Sequence, residues 1–249
     1  MGKRRKGPIV AVTVTVLYFL GSLVGGVARA QESLPELIKK VLPAVVTVVG
    51  FNAQGKPIRI GSGFFVDAQG HLITNLHVIK GVARAEVNLP KGEIYPLTKI
   101  VASDDKADLV KLAVHLPGGS PHYLTVSGAR PEVGEHVVVL GSPLGLERTV
   151  TDGMVSAIRT IKGRGEFLQI SAPISPGSSG GPVVNMKGQV IGIATFQVRG
   201  QNINFAVPGY RVQALKDGPP RALPGQGTDG KALPTRPGVN VPRPQMQVN

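Results

Sequence analysis

The sequence predicts an all-β fold made of two antiparallel six-stranded β-barrels. Its 249 residues include 33 glycines and 21 prolines, while aromatic residues make up only 4%. This composition favours many short strands joined by turns over a helical bundle. Two groups of about six β-rich runs follow one another and are separated by the turn-rich residues 116–120, a pattern typical of paired barrels. We expect barrel one at about residues 44–116 and barrel two at about 120–208.

Residues 1–30 predict an export segment. A basic KRRK is followed by an apolar run from Ile9 to Val27, and Ala28-Arg29-Ala30 offers a cleavage site before Gln31. At about 1.5 Å per residue, the run is long enough to nearly cross a bilayer of about 30 Å. A cleaved signal peptide and an uncleaved inner-membrane anchor both stay open. Both would leave residues 31 onward in the periplasm or another extracytoplasmic space.

A short helix is predicted before the barrels, and the strands follow it. Ser33 fits an N-cap, Glu36 fits the reciprocal capping position, and Pro43 is expected to end the helix. The strand runs are 45–51, 63–66, 71–75, 82–89, 94–102 and 109–114, then 124–126, 136–140, 148–158, 167–170, 181–185, 190–195 and 203–207. Residues 210–215 are expected to form the closing helix of a single folded domain that spans 31–216.

The last segment, 217–249, is predicted to be disordered. It is rich in Pro, Gly, Arg, Gln and Thr and has few large apolar side chains. Such a segment buries too little surface to offset the entropy lost on ordering.

The net charge of +13 does not indicate a nucleic-acid-binding protein. Residues 1–30 carry five basic residues and no acid, and more basic residues lie in the C-terminal segment. The remaining body has no basic helix or aromatic-studded strand, so we expect no nucleic-acid partner. The chain has no cysteine, and His71, His115, His122 and His136 lack ligand spacing, so no metal or cofactor is predicted.

Three segments carry residues that suggest nucleophilic catalysis when they are taken together. His77 follows an apolar strand, acids at 104, 105 and 108 precede another strand, and a glycine-lined turn at 177–181 holds Ser178 and Ser179. Each segment alone is ordinary turn chemistry. In the order His, Asp, Ser, they fit an imidazole base that activates a serine and is oriented by a carboxylate. The residues alone leave the choice of acid and of serine open.

The chain resembles the HtrA/Deg-type serine proteases of the chymotrypsin-like superfamily over about residues 34–207. The matching stretches are VLPAVVTV (41–48), GSGFFVDAQGHLITNLHVI (61–79), DDKADLVKLAV (104–114), GSPLGLERTVTDGMVSAI (141–158), ISAPISPGSSGGPVVNMKGQVIGI (170–193) and INFAVP (203–208). The resemblance implies an ATP-independent extracytoplasmic serine endopeptidase that cuts misfolded or exposed polypeptides.

The resemblance also implies site residues. The acid directly before Leu-Val-Lys-Leu is Asp108, and the serine directly before Gly-Gly is Ser179, so the implied triad is His77, Asp108 and Ser179. Backbone N–H groups of Gly177 and Ser179, with Ser178, would form the oxyanion hole. The implied pocket residues, which would favour small or medium aliphatic side chains, are Ile193, Ala194, Ile203 and Phe205.

Some family features are not expected here. The residues after the protease-like segment do not resemble a PDZ domain, and Pro176 lies where the family often has a polar or basic residue. These departures keep open an alternative function, a binding or chaperone-like module with a latent triad. The oligomeric state is not predicted.

Overall fold

A computed structural model of the chain describes Gly2 and residues 32–117, 119–141, 149–198 and 203–223. The predicted export segment, except Gly2, and residues 224–249 of the predicted disordered tail lie outside the described residues. The same holds for residues 142–148 of the family resemblance. Residues 1–31 form a separate unit, so the fold below concerns Glu32 onward.

The N-terminal helix α1 (Leu34–Val41) begins where its capping residues predict. The Glu36 carboxylate accepts hydrogen bonds from the N–H and hydroxyl of Ser33, at 3.1 and 2.9 Å. These bonds lower the pKa of Glu36. Pro43 lies inside a short 3₁₀ helix (Leu42–Ala44) that leads directly into the first strand.

Barrel one is a closed antiparallel six-stranded barrel. Its strands are β1 (Val45–Phe51), β2 (Pro57–Phe65), β3 (His71–Asn75), β4 (Arg84–Asn88), β5 (Ile94–Asp104) and β6 (Leu109–Val114). Their order is β5-β4-β1-β2-β3-β6, and pairing between β5 and β6 closes the ring. A four-residue helix, α2 (Leu76–Ile79), follows β3.

Barrel two is the second closed ring. Its strands are β7 (His136–Gly141), β8 (Thr149–Ile161), β9 (Gly165–Ile170), β10 (Pro182–Asn185), β11 (Val190–Val198) and β12 (Ile203–Pro208), followed by helix α3 (Tyr210–Gln213). The order is β10-β11-β12-β9-β8-β7, with β7 pairing back to β10. The predicted fold class of two six-stranded barrels is therefore confirmed.

One local prediction was wrong, and one predicted boundary differs from the structure. Residues 124–126 do not form a strand, because Val126 makes only an isolated bridge to Val190 and joins no ladder. The first residues of the predicted disordered tail are ordered: β13 (Arg221–Ala222) pairs with β5 of barrel one, and Leu223 is buried. In both cases the deciding interaction is a long-range backbone pairing that local composition does not report.

The buried hydrophobic residues form three clusters that stabilise the two barrels. One fills the interior of barrel one, and a second fills the interior of barrel two. The third joins α1 to both barrels, with Phe64 and Leu109 from barrel one and Leu140 and Phe167 from barrel two. The same cluster contains Ile73 of β3, Leu109 of β6 and Val184 of β10. Within the described residues, no helix combines the length and apolar character needed to span a membrane.

Candidate active site

His77 and Asp108 form a close pair at one end of barrel one. His77 lies in α2, directly after β3, and Asp108 directly precedes β6, the strand that pairs with β3. The Asp108 carboxylate accepts the His77 backbone N–H at 2.8 Å and lies 2.6 Å from His77 Nδ1. An ionised carboxylate can only accept, so Nδ1 carries the hydrogen and Nε2 is left free to take a proton.

Asp108 has an unusual backbone conformation, and several hydrogen bonds hold it. It is the one non-glycine residue with positive φ among the described residues, at 57°. A left-handed non-glycine residue costs about 1–3 kcal/mol. Its carbonyl accepts from Leu76 N (3.0 Å) and from Asn75 Nδ2 (2.9 Å), while its carboxylate accepts from His77. These partners stabilise a conformation that turns the carboxylate toward the imidazole.

The two neighbouring acids make other contacts. Asp104 accepts from Ala107 N at 2.9 Å and pairs with Arg211 at 3.1 Å. Asp105 is exposed and lies 3.8 Å from Lys80 Nζ. Of the three candidate acids, Asp108 is therefore the one that contacts the histidine.

Ser179 lies on the loop that leads into β10, where barrel two contacts barrel one. Its hydroxyl donates to the carbonyl of Thr195 at 3.0 Å, and its own carbonyl accepts from Ser62 N in barrel one at 2.8 Å. No hydrogen bond joins this hydroxyl to His77 within the described part of the chain.

Gly180 shows how tightly the serine loop packs against barrel one. Its φ is +87°, and a Cβ placed there would lie 2.2 Å from the Ser62 carbonyl oxygen and 2.3 Å from Thr74 Oγ1. Only glycine fits such a close approach with this backbone conformation.

The loop before Ser179 presents backbone donors. Gly177 has a φ of +98°, and its carbonyl accepts from Ser62 Oγ at 2.7 Å. Within the described residues, the N–H groups of Gly177 and Ser179 donate to no protein acceptor. The Ser178 N–H is engaged by the Ser175 carbonyl at 2.9 Å. Of the three residues expected to form the oxyanion hole, Gly177 and Ser179 therefore have amides without a protein acceptor in the described part of the chain, whereas the Ser178 amide closes a turn.

The four predicted pocket residues do not share one surface. Ile193 and Ala194 are both fully buried, and they point to opposite faces of β11, as neighbours on a strand must. Ile193 packs with Phe205 in the cluster shared by the barrels, and Ile203 packs against that cluster, whereas Ala194 faces the interior of barrel two. Their assignment as substrate-binding residues stays a prediction.

Three polar residues at the site were missed by sequence reasoning. Asn75 donates to the Asp108 carbonyl at 2.9 Å and to Thr195 Oγ1 at 3.2 Å, and Ser62 bridges to the serine loop. Ser62, Asn75 and Thr195 are all at most 4% exposed. Buried polar side chains need partners, so a polar residue within an apolar strand run was the available signal.

Two of the other histidines make separate pairs. His71 Nδ1 lies 2.6 Å from Asp67, and His136 lies 3.3 Å from Asp152. The described residues contain no cluster of three or more metal-ligating side chains.

Comparisons with known proteins identify relatives of this architecture. The family model described as a trypsin-like peptidase domain matches residues 61–193. The chain is 36% identical over 210 residues to "Serine protease HTRA2, mitochondrial" of Bos taurus, which covers 78% of this chain and 45% of that protein. It is 36% identical over 183 residues to the "Probable periplasmic serine endoprotease DegP-like" of Chlamydia pneumoniae, covering 66% and 35%.

A solved structure is similar as well. The "serine endoprotease from Yersinia pestis" superposes with a TM-score of 0.64 at 30% identity, covering 73% of this chain and 64% of that one. The chain spans less than half the length of the two curated relatives.

Proposed function

Because the chain belongs to the HtrA-type serine proteases of the trypsin-like peptidase family, we propose that it is a serine endopeptidase that hydrolyses polypeptides through an acyl-enzyme. The observation that carries this proposal is the two-point contact of Asp108 with His77, at 2.6 and 2.8 Å. Hydrogen bonds connect Ser179 to Thr195 and Thr195 to Asn75, the last residue of the strand before His77.

In the proposed mechanism, His77 is the general base. Its Nε2 takes the Ser179 proton as Oγ attacks the scissile carbonyl carbon. Asp108 keeps Nδ1–H in place and stabilises the imidazolium that forms. His77 then returns the proton to the leaving amine, and a water molecule activated by the same imidazole releases the acyl group from Ser179.

The serine loop would stabilise the tetrahedral intermediate. As the carbonyl oxygen gains negative charge, the N–H groups of Gly177 and Ser179 would donate to it. One such donor typically contributes about 3–4 kcal/mol to the transition state. Both amides lack a protein acceptor within the described residues, which leaves them available for this role.

The substrate class and the location are part of the proposal. We expect cleavage of unfolded or exposed polypeptide segments outside the cytoplasm, in protein quality control. The name of one relative, a probable periplasmic serine endoprotease, supports the location and the endopeptidase activity. The mass of the exported protein tests the export segment: a mature chain starting at Gln31 means a cleaved signal, and the full chain means a retained anchor.

Activity-probe labelling tests the catalytic assignment. The wild-type chain is expected to take up a fluorophosphonate and to degrade unfolded casein, and Ser179→Ala is expected to do neither. Ser178→Ala is the matched control, because it changes the adjacent serine and should keep both activities. A folded wild-type chain that neither takes up the probe nor cleaves casein contradicts the proposal.

A second candidate is a peptide-binding module with a latent triad. The hydrogen bond from the Ser179 hydroxyl to the Thr195 carbonyl favours it, because within the described residues this hydroxyl makes no hydrogen bond to His77. In that case Ser179→Ala would bind unfolded protein as the wild type does and would leave the cellular phenotype intact.

A further inference from the structure

Strand β11 has an open edge that starts beside Ser179. The pairing of β10 with β11 reaches Ile193, whereas β12 pairs with β11 as far as Val198. Residues 196–198 therefore have no strand neighbour on the β10 side among the described strands. The Thr195 carbonyl, which accepts from Ser179 Oγ, stands where this open edge begins.

An extended peptide fits this edge by strand addition. The rest of barrel two is antiparallel, so we expect the peptide to run antiparallel to β11. Because β11 runs away from Ser179, a peptide of opposite direction runs toward it. The peptide residues beside 196–198 are then N-terminal to the bond that is cut. This step rests on the proposed endopeptidase function.

Arg164 stands over Phe196 of this edge strand and over Phe167 of β9. The Phe196 ring stacks on Phe205 at 4.9 Å and meets Phe167 edge-on at 5.5 Å. The Arg164 guanidinium lies 5.0 Å from the Phe167 centroid and 5.3 Å from the Phe196 centroid. Cations are attracted to aromatic faces at such distances, so the rings orient the guanidinium.

Two hydrogen bonds also position Arg164, one at its backbone carbonyl and one from its side chain to barrel one. Arg211 donates to the Arg164 carbonyl at 2.8 Å, and Arg164 Nε approaches the carbonyl of Lys106 at 3.5 Å. Lys106 belongs to the loop that carries Asp108. The half-buried guanidinium thus spans the gap between the β8–β9 turn and the loop of the catalytic acid.

Arg164 has no carboxylate partner within 4.0 Å among the described residues, although acids nearby have theirs. Asp104 pairs with Arg211, and Glu166 accepts from Arg130 and Tyr210. A guanidinium held by aromatic rings and left without a carboxylate is suited to bind one from outside.

We propose that Arg164 is a specificity-determining residue that binds an acidic side chain of the substrate. The acidic residue would lie about two to four positions N-terminal to the scissile bond, the span that Phe196–Val198 covers in an extended pairing. The substrate class is then polypeptides with Asp or Glu shortly before the cleavage site.

Matched fluorogenic peptides test this inference without any variant. The peptides differ only in Glu or Gln at those positions, and the wild type should cleave the Glu series with about tenfold higher kcat/KM. The preference should shrink on raising salt from about 0.05 to 0.5 M, since screening weakens the pairing. Equal rates for both series overturn the inference but keep the endopeptidase. Cleavage of neither series, by a folded chain, overturns the endopeptidase function itself.

Charge reversal gives the second measurement. Arg164→Glu should abolish the Glu preference and favour a Lys series, mainly through KM. Lys162→Glu is the matched control, because it makes the same charge change on the same exposed turn without a ring contact. An unchanged Glu-to-Gln ratio in folded Arg164→Glu, or an equal change in Lys162→Glu, overturns the assignment to Arg164.

Discussion

Replacing Ser62 by alanine should lower kcat about tenfold and leave KM near the wild-type value. Ser62 lies in β2 of barrel one and is fully buried. Its hydroxyl donates to the Gly177 carbonyl at 2.7 Å, and its backbone N–H donates to the Ser179 carbonyl at 2.8 Å. Only the first of these bonds is removed by the substitution.

The expected loss of kcat is moderate because other hydrogen bonds still position the loop that carries Ser179. The Ser178–Ser175 turn and the bond from Gly180 N to the Ala194 carbonyl remain, at 2.9 and 2.8 Å. The lost bond is worth about 0.5–1.5 kcal/mol, and complete loss of one oxyanion donor would cost about 3–4 kcal/mol. If the loop conformation that positions the donors becomes less favourable by about 1.4 kcal/mol, the rate falls about tenfold. Because the donors act on the charge that forms in the transition state, the loss should fall on kcat.

Steady-state kinetics on a fluorogenic peptide, with melting temperatures taken in parallel, test this reasoning. Ser127→Ala is the control, since within the described residues that hydroxyl makes one hydrogen bond, accepted from Ala129 N in a turn before β7. Wild-type kcat in folded Ser62→Ala would refute the idea that this hydroxyl positions the oxyanion donors. A rise in KM at constant kcat would refute it as well.

Three further changes have defined outcomes. Asp108→Asn should keep the fold but lower kcat about 10⁴-fold, because the amide no longer selects the His77 tautomer, and kcat/KM measures this. Gly180→Ala should yield unfolded or inactive protein by circular dichroism and probe labelling, because the added Cβ would lie 2.2 Å from the Ser62 carbonyl oxygen. Burial and the hydrogen bond to Glu166 raise the pKa of Tyr210. The folded chain therefore holds that proton more tightly, and this stabilisation is present below the unfolded pKa of about 10 and lost as pH rises through the folded pKa. Urea unfolding at about pH 9–11 should show a steeper loss of stability in the wild type than in Tyr210→Phe.

Elements with local signals were predicted closely, and elements that depend on distant partners were not. The bounds of β1, β3 and β6 match the predicted runs, because their apolar residues are contiguous and turn residues flank them. Strand β2 begins at Pro57 instead of Gly63, since its first four residues are largely exposed and become a strand only by pairing with β1. No pattern within residues 57–60 carries that information.

The same distinction holds at the candidate site. His77, Asp108 and Ser179 each lie in a short motif, and the resemblance selected the acid that the structure finds beside the histidine. The supporting residues Asn75 and Thr195 are joined across 120 positions of the sequence. Their partnership exists only once the two barrels are packed, so a linear pattern could flag them as buried polar residues but could not pair them.

Residues 217–223 belong to the folded domain, so this domain extends beyond residue 216. His77 and Asp108 belong to barrel one and Ser179 to barrel two, so the proposed triad depends on how the barrels are held together. After α3 of barrel two, the chain returns to barrel one, where Asp217 pairs with Lys111 at 2.9 Å and Leu223 is only 1% exposed. Burying a leucine contributes about 1.5–3 kcal/mol, a sizeable share of a typical stability of about 5–15 kcal/mol. The crossing segment therefore closes the barrel pair, and a boundary drawn at residue 216 from composition would remove one of the links between the halves of the site.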